Sequence, residues 1–221
     1  MVATAAESYE RFRPGYPDEI VDRALSYAGR PVRTAVELGA ATGKATRAFA
    51  SRGIQVTALE PDPVMFAVLE RETIGMPVEP SPRTLKTYDG PPADLVYAAE
   101  RVPSRGWDRL ARALVPGGVL VFFRSRVRPL DPGVRVPEPR ESPLADAVPT
   151  GLSDVEEHHL TRHLVMPPRE FVGYLSTTGA FADLSAEQRQ EVLRRTAETL
   201  PAQVRVEASV NLLLARRRLT G

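Results

Sequence analysis

A doubly wound α/β fold with a mostly parallel sheet is what this sequence predicts, and three observations predict it. An apolar run ends on Glu37 and enters a loop of small residues, ELGAATGK. That loop opens into a helix-compatible stretch that stops at Gly53. A second apolar run follows and ends on another acid, Glu60. Strand, glycine turn, helix, strand and acid make half of a fold that binds adenosine-bearing ligands across the carboxyl ends of its strands.

The loop separates from other glycine loops by spacing. A phosphate-gripping loop needs GxxxxGK followed by Ser or Thr. Here only three residues separate Gly39 from Gly43, and Lys44 precedes Ala45. A nicotinamide fingerprint needs GxGxxG, but Ala41 and Lys44 stand at its second and third glycines. Gly39 and Gly43 let the backbone take positive φ and bring bare amides to a ligand. A carboxylate at the end of the next strand, Glu60, can accept two ribose hydroxyls. A plainer reading gives the glycines to strand–helix packing and Glu60 to a solvated strand end.

Length and composition bound the rest. The 221 residues suit one large domain, 1–221, with a sizeable core. A net charge of +1 with no dominant basic cluster gives a nucleic-acid partner no electrostatic support. The lack of cysteine excludes disulfides, thiolate metal sites and cysteine nucleophiles. No apolar stretch approaches the ~20 residues of a membrane span, and MVATAAESYE lacks a signal pattern, so a cytoplasmic protein is expected.

Residues 1–30 read as a cap segment. Asp18 is placed to cap a helix whose stripe is Ile20, Val21, Ala24, Leu25 and Ala28, with Gly29 ending it. After Glu60 and Pro61, Asp62 caps a helix with Pro63 at its first position. Pro80 and Pro82 confine the third strand to an edge. Asp94 to Ala99 is a clear fourth strand, which puts Ala98, Ala99 and Glu100 near the reacting groups. Ser104 caps the next helix, and VPGGVLVFF turns into a buried strand. Residues 124–154, rich in proline and arginine, read as a substrate lid or loop, with disorder as the rival. VEEHHLTRHLVM alternates as a strand, with His158 on the face of Leu160 and Leu164 and His159 on the other. An exposed sheet face explains its histidines better than a metal does, and no metal is expected. Ser185 and Gln188 form a capping box, and a long strand closes the chain.

Taken together, E-x-G-x-(G/A)-x-G with the acid Glu60 resembles the first motifs of the class I S-adenosylmethionine-dependent methyltransferases. The branch similar to trans-aconitate methyltransferase adds YxxxRPxYP, matched by Tyr9, Arg13, Pro14, Tyr16 and Pro17. It also adds L-x-PGG-x-L at Leu114 to Leu120, and approximate matches at Tyr174 to Thr177 and at Leu213 to Arg217. The resemblance implies a seven-stranded, mostly parallel Rossmann-like sheet with an antiparallel closing strand. It implies S-adenosylmethionine as cofactor and a small-molecule acceptor, such as a natural product or carboxylic acid.

Carried onto this chain, the resemblance gives cofactor contacts to Tyr9, Arg13 and Tyr16 in the cap. In the first two motifs it gives them to Glu37, Gly39, Ala41, Gly43, Glu60 and Pro61. Met65 faces the adenine, Ser81 and Arg83 stand where relatives place an adenine-binding acid, and Ala98 abuts the reacting end. Relatives carry a His-Trp pair after the fourth strand; this chain is about four residues shorter there and lacks it, with Trp107 nearby. That departure keeps two alternatives open, cyclisation or elimination on the same fold and a non-catalytic cofactor-binding module. Methyl transfer needs alignment more than strong chemistry, and a base only where the acceptor loses a proton. The candidates for that base are Glu100, His158 and His159. The sequence leaves the oligomeric state open.

Overall fold

Thr34–Leu38 forms β1, and its buried positions place it in the middle of the sheet. The computed structural model describes residues 4–100, 107–134, 136, 152–181 and 184–218. The other strands are β2 (Gln55–Leu59), β3 (Val78–Ser81), β4 (Ala93–Ala99), β5 (Leu114–Pro129), β6 (Leu152–Met166) and β7 (Val204–Arg217). The helices are α1 (Ala5–Phe12), α2 (Asp18–Ala28), α3 (Lys44–Ala50), α4 (Pro63–Glu72), α5 (Trp107–Ala113), α6 (Pro168–Ser176) and α7 (Ala186–Thr199). The seven strands lie in the order β3-β2-β1-β4-β5-β7-β6. Pairs β1–β2, β1–β4, β2–β3 and β4–β5 are parallel, and β7 closes the sheet antiparallel. Strand order reverses between β1 and β4, which makes their carboxyl ends the switch point where such sheets bind ligands.

The chain divides into two compact units, with boundaries inside β5, β6 and β7. The larger comprises Gly15–Arg124, Pro143–His159 and Asn211–Gly221. Its core gathers Val36, Leu59, Val96, Leu110, Leu120, Phe122 and Leu213. The Pro116–Gly118 turn is a bulge within β5: Ala93 pairs with Leu114, yet Leu95 pairs with Val119. A Cβ on Gly118 would lie 2.8 Å from the Val115 carbonyl oxygen, so the bulge needs glycine there.

The smaller unit comprises Met1–Pro14, Ser125–Ser142 and Leu160–Val210. Phe171, Tyr174, Leu175 and Phe181 pack on Val127, Val204 and Val206. The sequence reading did not foresee α1. Its signal is the Thr4–Glu7 capping box, in which each side chain bonds the other's backbone amide. Asp18 is the first residue of α2 and not its cap, a position taken by Pro17. Gly29 ends α2 in the left-handed conformation, and Asp62 caps α4 through the amides of Val64 and Met65. The segment read as a lid begins and ends in strand, since β5 runs to Pro129 and β6 starts at Leu152. Residues 137–151 and Ser104 lie outside the described residues. Among the described residues no helix is long and apolar enough to cross a membrane.

Candidate active site

The loop after β1 takes its shape from three left-handed residues, with φ of +69° at Gly39, +49° at Ala41 and +86° at Gly43. The two glycines do different work. A Cβ on Gly39 would meet nothing within 4 Å, which leaves open space at that point of the loop. A Cβ on Gly43 would lie 2.8 Å from Leu69 Cδ1, so this glycine lets the loop pack on α4. Ala41 holds a left-handed backbone at a cost of roughly 1–2 kcal/mol. The amides of Gly39 and Ala40 both donate to the Leu59 carbonyl at 2.9 Å, fastening the loop to the end of β2.

Glu60 completes the fastening. One carboxylate oxygen accepts from the Ala41 amide at 2.7 Å and the other from the Asp62 amide at 2.8 Å. Its own amide donates to the Ser81 carbonyl at 2.9 Å, so Ser81 ends β3 beside it. A carboxylate offers about four lone-pair sites, and these two bonds use one on each oxygen.

Glu37 lies beneath the loop and is only 1% exposed. The Thr46 hydroxyl donates to its carboxylate, as does the Tyr97 hydroxyl at 3.0 Å. Burial pushes the Glu37 carboxyl up to about 8, against the pull of those two hydrogen bonds. Burial and the adjoining Glu37 raise the Tyr97 hydroxyl as well, and its ring stacks on Phe49 at 4.1 Å. Thr46 and Tyr97 escaped the sequence reading; a hydroxyl in the first turn of the helix after the loop, and a tyrosine within an otherwise apolar strand, are the signals that could have found them.

At the carboxyl end of β4, Glu100 adopts a left-handed backbone with φ of +65°. Its amide donates to the Phe123 carbonyl at 2.8 Å, and the Arg124 Nε donates to its carbonyl at 3.4 Å. The Tyr16 hydroxyl donates to Glu100 Oε1 at 3.0 Å, while the Tyr16 ring meets Phe123 edge-on at 4.9 Å. The structure thus brings together Tyr16 and Glu100, two residues expected in the site, and adds Phe123 and Arg124.

The remaining expected residues are dispersed. Ala98 is fully buried opposite Phe122. Pro61 and Met65 flank the start of α4, and Arg83 pairs with Asp89 at the surface. Tyr9 and Arg13 belong to the smaller unit, where the Arg13 guanidinium lies over the rings of Tyr9 and Tyr174. His158 sits beside α2 in a groove of about 410 Å³ that also includes Arg23, Tyr27 and Arg216. Arg23 approaches His158 Nδ1 at 3.2 Å and can only donate, so that nitrogen accepts. The ring proton is then on Nε2, 3.2 Å from Glu156. His159 pairs with Asn211 at 2.7 Å on β7.

A sheet in this order, with a glycine loop after β1 and an acid after β2, is the Rossmann-like methyltransferase fold. Residues 36–122 match the family described as a methyltransferase domain. An uncharacterised methyltransferase of Mycobacterium tuberculosis is 36% identical over 126 residues, which cover 53% of this chain and 49% of that protein. The chain spans about half the length of the curated relatives it matches. A structure from Anaeromyxobacter dehalogenans, described as that of a type II methyltransferase, superposes with a TM-score of 0.69 at 21% identity. That match covers 95% of this chain and all of the other. Phosphoethanolamine N-methyltransferase 2 of Haemonchus contortus, in complex with S-adenosyl-L-methionine, gives a TM-score of 0.57 at 17% identity. It covers 98% of this chain and 58% of that one. At these identities the two structures share the fold with this chain.

Proposed function

We propose that this chain is an S-adenosylmethionine-dependent methyltransferase acting on a small-molecule acceptor. The observation that carries this reading is the Glu60 carboxylate clasped to the Ala41 amide at 2.7 Å, at the switch point of the sheet. The match of residues 36–122 to the methyltransferase domain family supports it, as does the donor held on the same fold by the Haemonchus contortus enzyme.

The residues fit that donor. The space over Gly39 admits a ligand against bare backbone, and Glu60 keeps lone pairs for two ribose hydroxyls. In this reading Pro61, Met65 and Ser81 are the candidates for the adenine end and Glu100 for the reacting end, while Ala98 is fully buried and offers no side chain to the donor. When bound, the sulfonium supplies an electrophilic methyl group and a neutral thioether leaving group. The protein's part is alignment, and Glu100 takes the acceptor's proton where there is one to lose. A carboxylic acid of the kind taken by the trans-aconitate-like branch is the first acceptor class to try.

Calorimetric titration with S-adenosylmethionine and with its demethylated product tests the reading. It is followed by label transfer from a methyl-labelled donor to panels of small carboxylic acids, amines and alcohols. Binding of the donor and labelling of one class are expected; binding of neither nucleoside ligand would overturn the proposal.

A further inference from the structure

Two carboxylates stand on opposite sides of the switch point. Glu60 follows β2, and Glu100 follows β4, with β1 and its glycine loop between those strands. Parallel pairing of Glu37 with Tyr97 sends β1 and β4 out of the sheet side by side. A nucleoside whose ribose is held by Glu60 therefore carries its sulfur-bearing tail across the loop toward Glu100. This step rests on the cofactor reading given above.

We propose that Tyr16 fixes the Glu100 carboxylate toward the sulfonium, so that the site prefers the charged donor to its neutral, demethylated product. Three of the described contacts help to hold Glu100 in place. Its amide and carbonyl are tied to Phe123 and Arg124, at 2.8 and 3.4 Å. Its side chain receives the Tyr16 hydroxyl at 3.0 Å. Tyr16 is itself anchored, its ring set 82° to that of the fully buried Phe123. A residue with a side chain stays at φ of +65° only where its surroundings over-determine it, and such strain gathers at functional positions.

The charge logic follows from this placement. A carboxylate at the edge of a partly buried site attracts a sulfonium strongly, because little water screens the pair. Transfer of the methyl group removes the positive charge from the ligand and the attraction with it, which favours release of product. Tyr16 is thus a positioning residue, acting through the carboxylate it holds.

The test titrates S-adenosylmethionine and S-adenosylhomocysteine separately into the unaltered protein, Glu100→Gln and Tyr16→Phe, with thermal unfolding of each. The unaltered protein is expected to bind the donor about tenfold more tightly than the product. Glu100→Gln is expected to bring the two affinities within about twofold of each other by weakening the donor alone. Tyr16→Phe should move the ratio part of the way. An unchanged ratio in Glu100→Gln, or parallel weakening of both ligands, overturns the proposal. If that variant does not fold, an unchanged ratio in Tyr16→Phe does the same. Binding of neither ligand by the unaltered protein is a separate outcome that sinks the cofactor reading itself, and this proposal with it.

Discussion

The Glu60 carboxylate receives the Ala41 amide at 2.7 Å, so a residue expected to grip a ligand is also the fastener of its own loop. Two functions on one side chain give a test with two readouts. Glu60→Ala removes the acceptor for the amides of Ala41 and Asp62 along with the ribose acceptor. Hydrogen bonds to a charged group are worth about 1.5–3 kcal/mol each. Donor affinity measured by calorimetry should therefore fall at least tenfold, and the unfolding midpoint should drop. Glu60→Gln, which keeps the shape and one carbonyl oxygen, should lose less of both. Unchanged donor affinity in the alanine variant would contradict the ribose assignment.

Ala41 stands at the (G/A) position of the E-x-G-x-(G/A)-x-G pattern, and its φ of +49° makes the cost readable. Ala41→Gly relieves about 1–2 kcal/mol of left-handed strain but frees the unfolded chain by about 0.4–1 kcal/mol. The two nearly offset, and stability from urea unfolding should change by less than about 1 kcal/mol, in the stabilising direction. Ala41→Val, with a branched Cβ at positive φ, should lose about 2 kcal/mol or more. Equal stability of the two variants would show that the loop does not hold this conformation in solution.

Glu37 makes stability depend on pH in an uncommon direction for a carboxylate. Its ordinary value is 4.5, and burial raises it to about 8 in the folded protein. Between those values the folded state holds a proton that the unfolded chain has released. The contribution is therefore complete below about pH 4.5 and is lost as pH rises through about 8. The difference across that window is on the order of 5 kcal/mol. Glu37→Gln, neutral at every pH, should gain stability over the unaltered protein steadily from pH 5 to pH 8 in denaturant titrations. A constant difference between the two proteins would mean that the carboxyl titrates normally.

Local chemistry was legible where one residue dictates its own conformation. Gly39 and Gly43 announced a left-handed loop, Asp62 with Pro63 announced a helix start, and Pro80 announced an edge strand. What stayed hidden were partnerships made by chain topology. Tyr16 and Glu100 are 84 residues apart and meet only once the larger unit has folded, the one just before α2 and the other just after β4. Glu37 was readable as a motif acid, but its burial against Thr46 and Tyr97 requires β1 paired to β4 and α3 returned over them. His158 was read on the face of Leu160, yet nothing along the strand announces that Arg23 of α2 approaches its Nδ1.

In the smaller unit, α1 packs against α6 through a single missing methyl group. A Cβ on Gly173 would lie 2.3 Å from Phe12 Cδ1, well inside van der Waals contact, and a ring atom cannot swing aside as the tip of a flexible chain can. Gly173→Ala should therefore destabilise the protein by about 1–3 kcal/mol through overpacking. In a Phe12→Ala background the obstacle is gone, and the same change should become neutral or stabilising by up to about 1 kcal/mol, since alanine is the better helix former. The four proteins form a double-mutant cycle whose coupling, read by urea unfolding, should exceed about 1 kcal/mol. Additive effects would mean that Phe12 does not lie over Gly173 in solution and that α1 is held to α6 by other contacts.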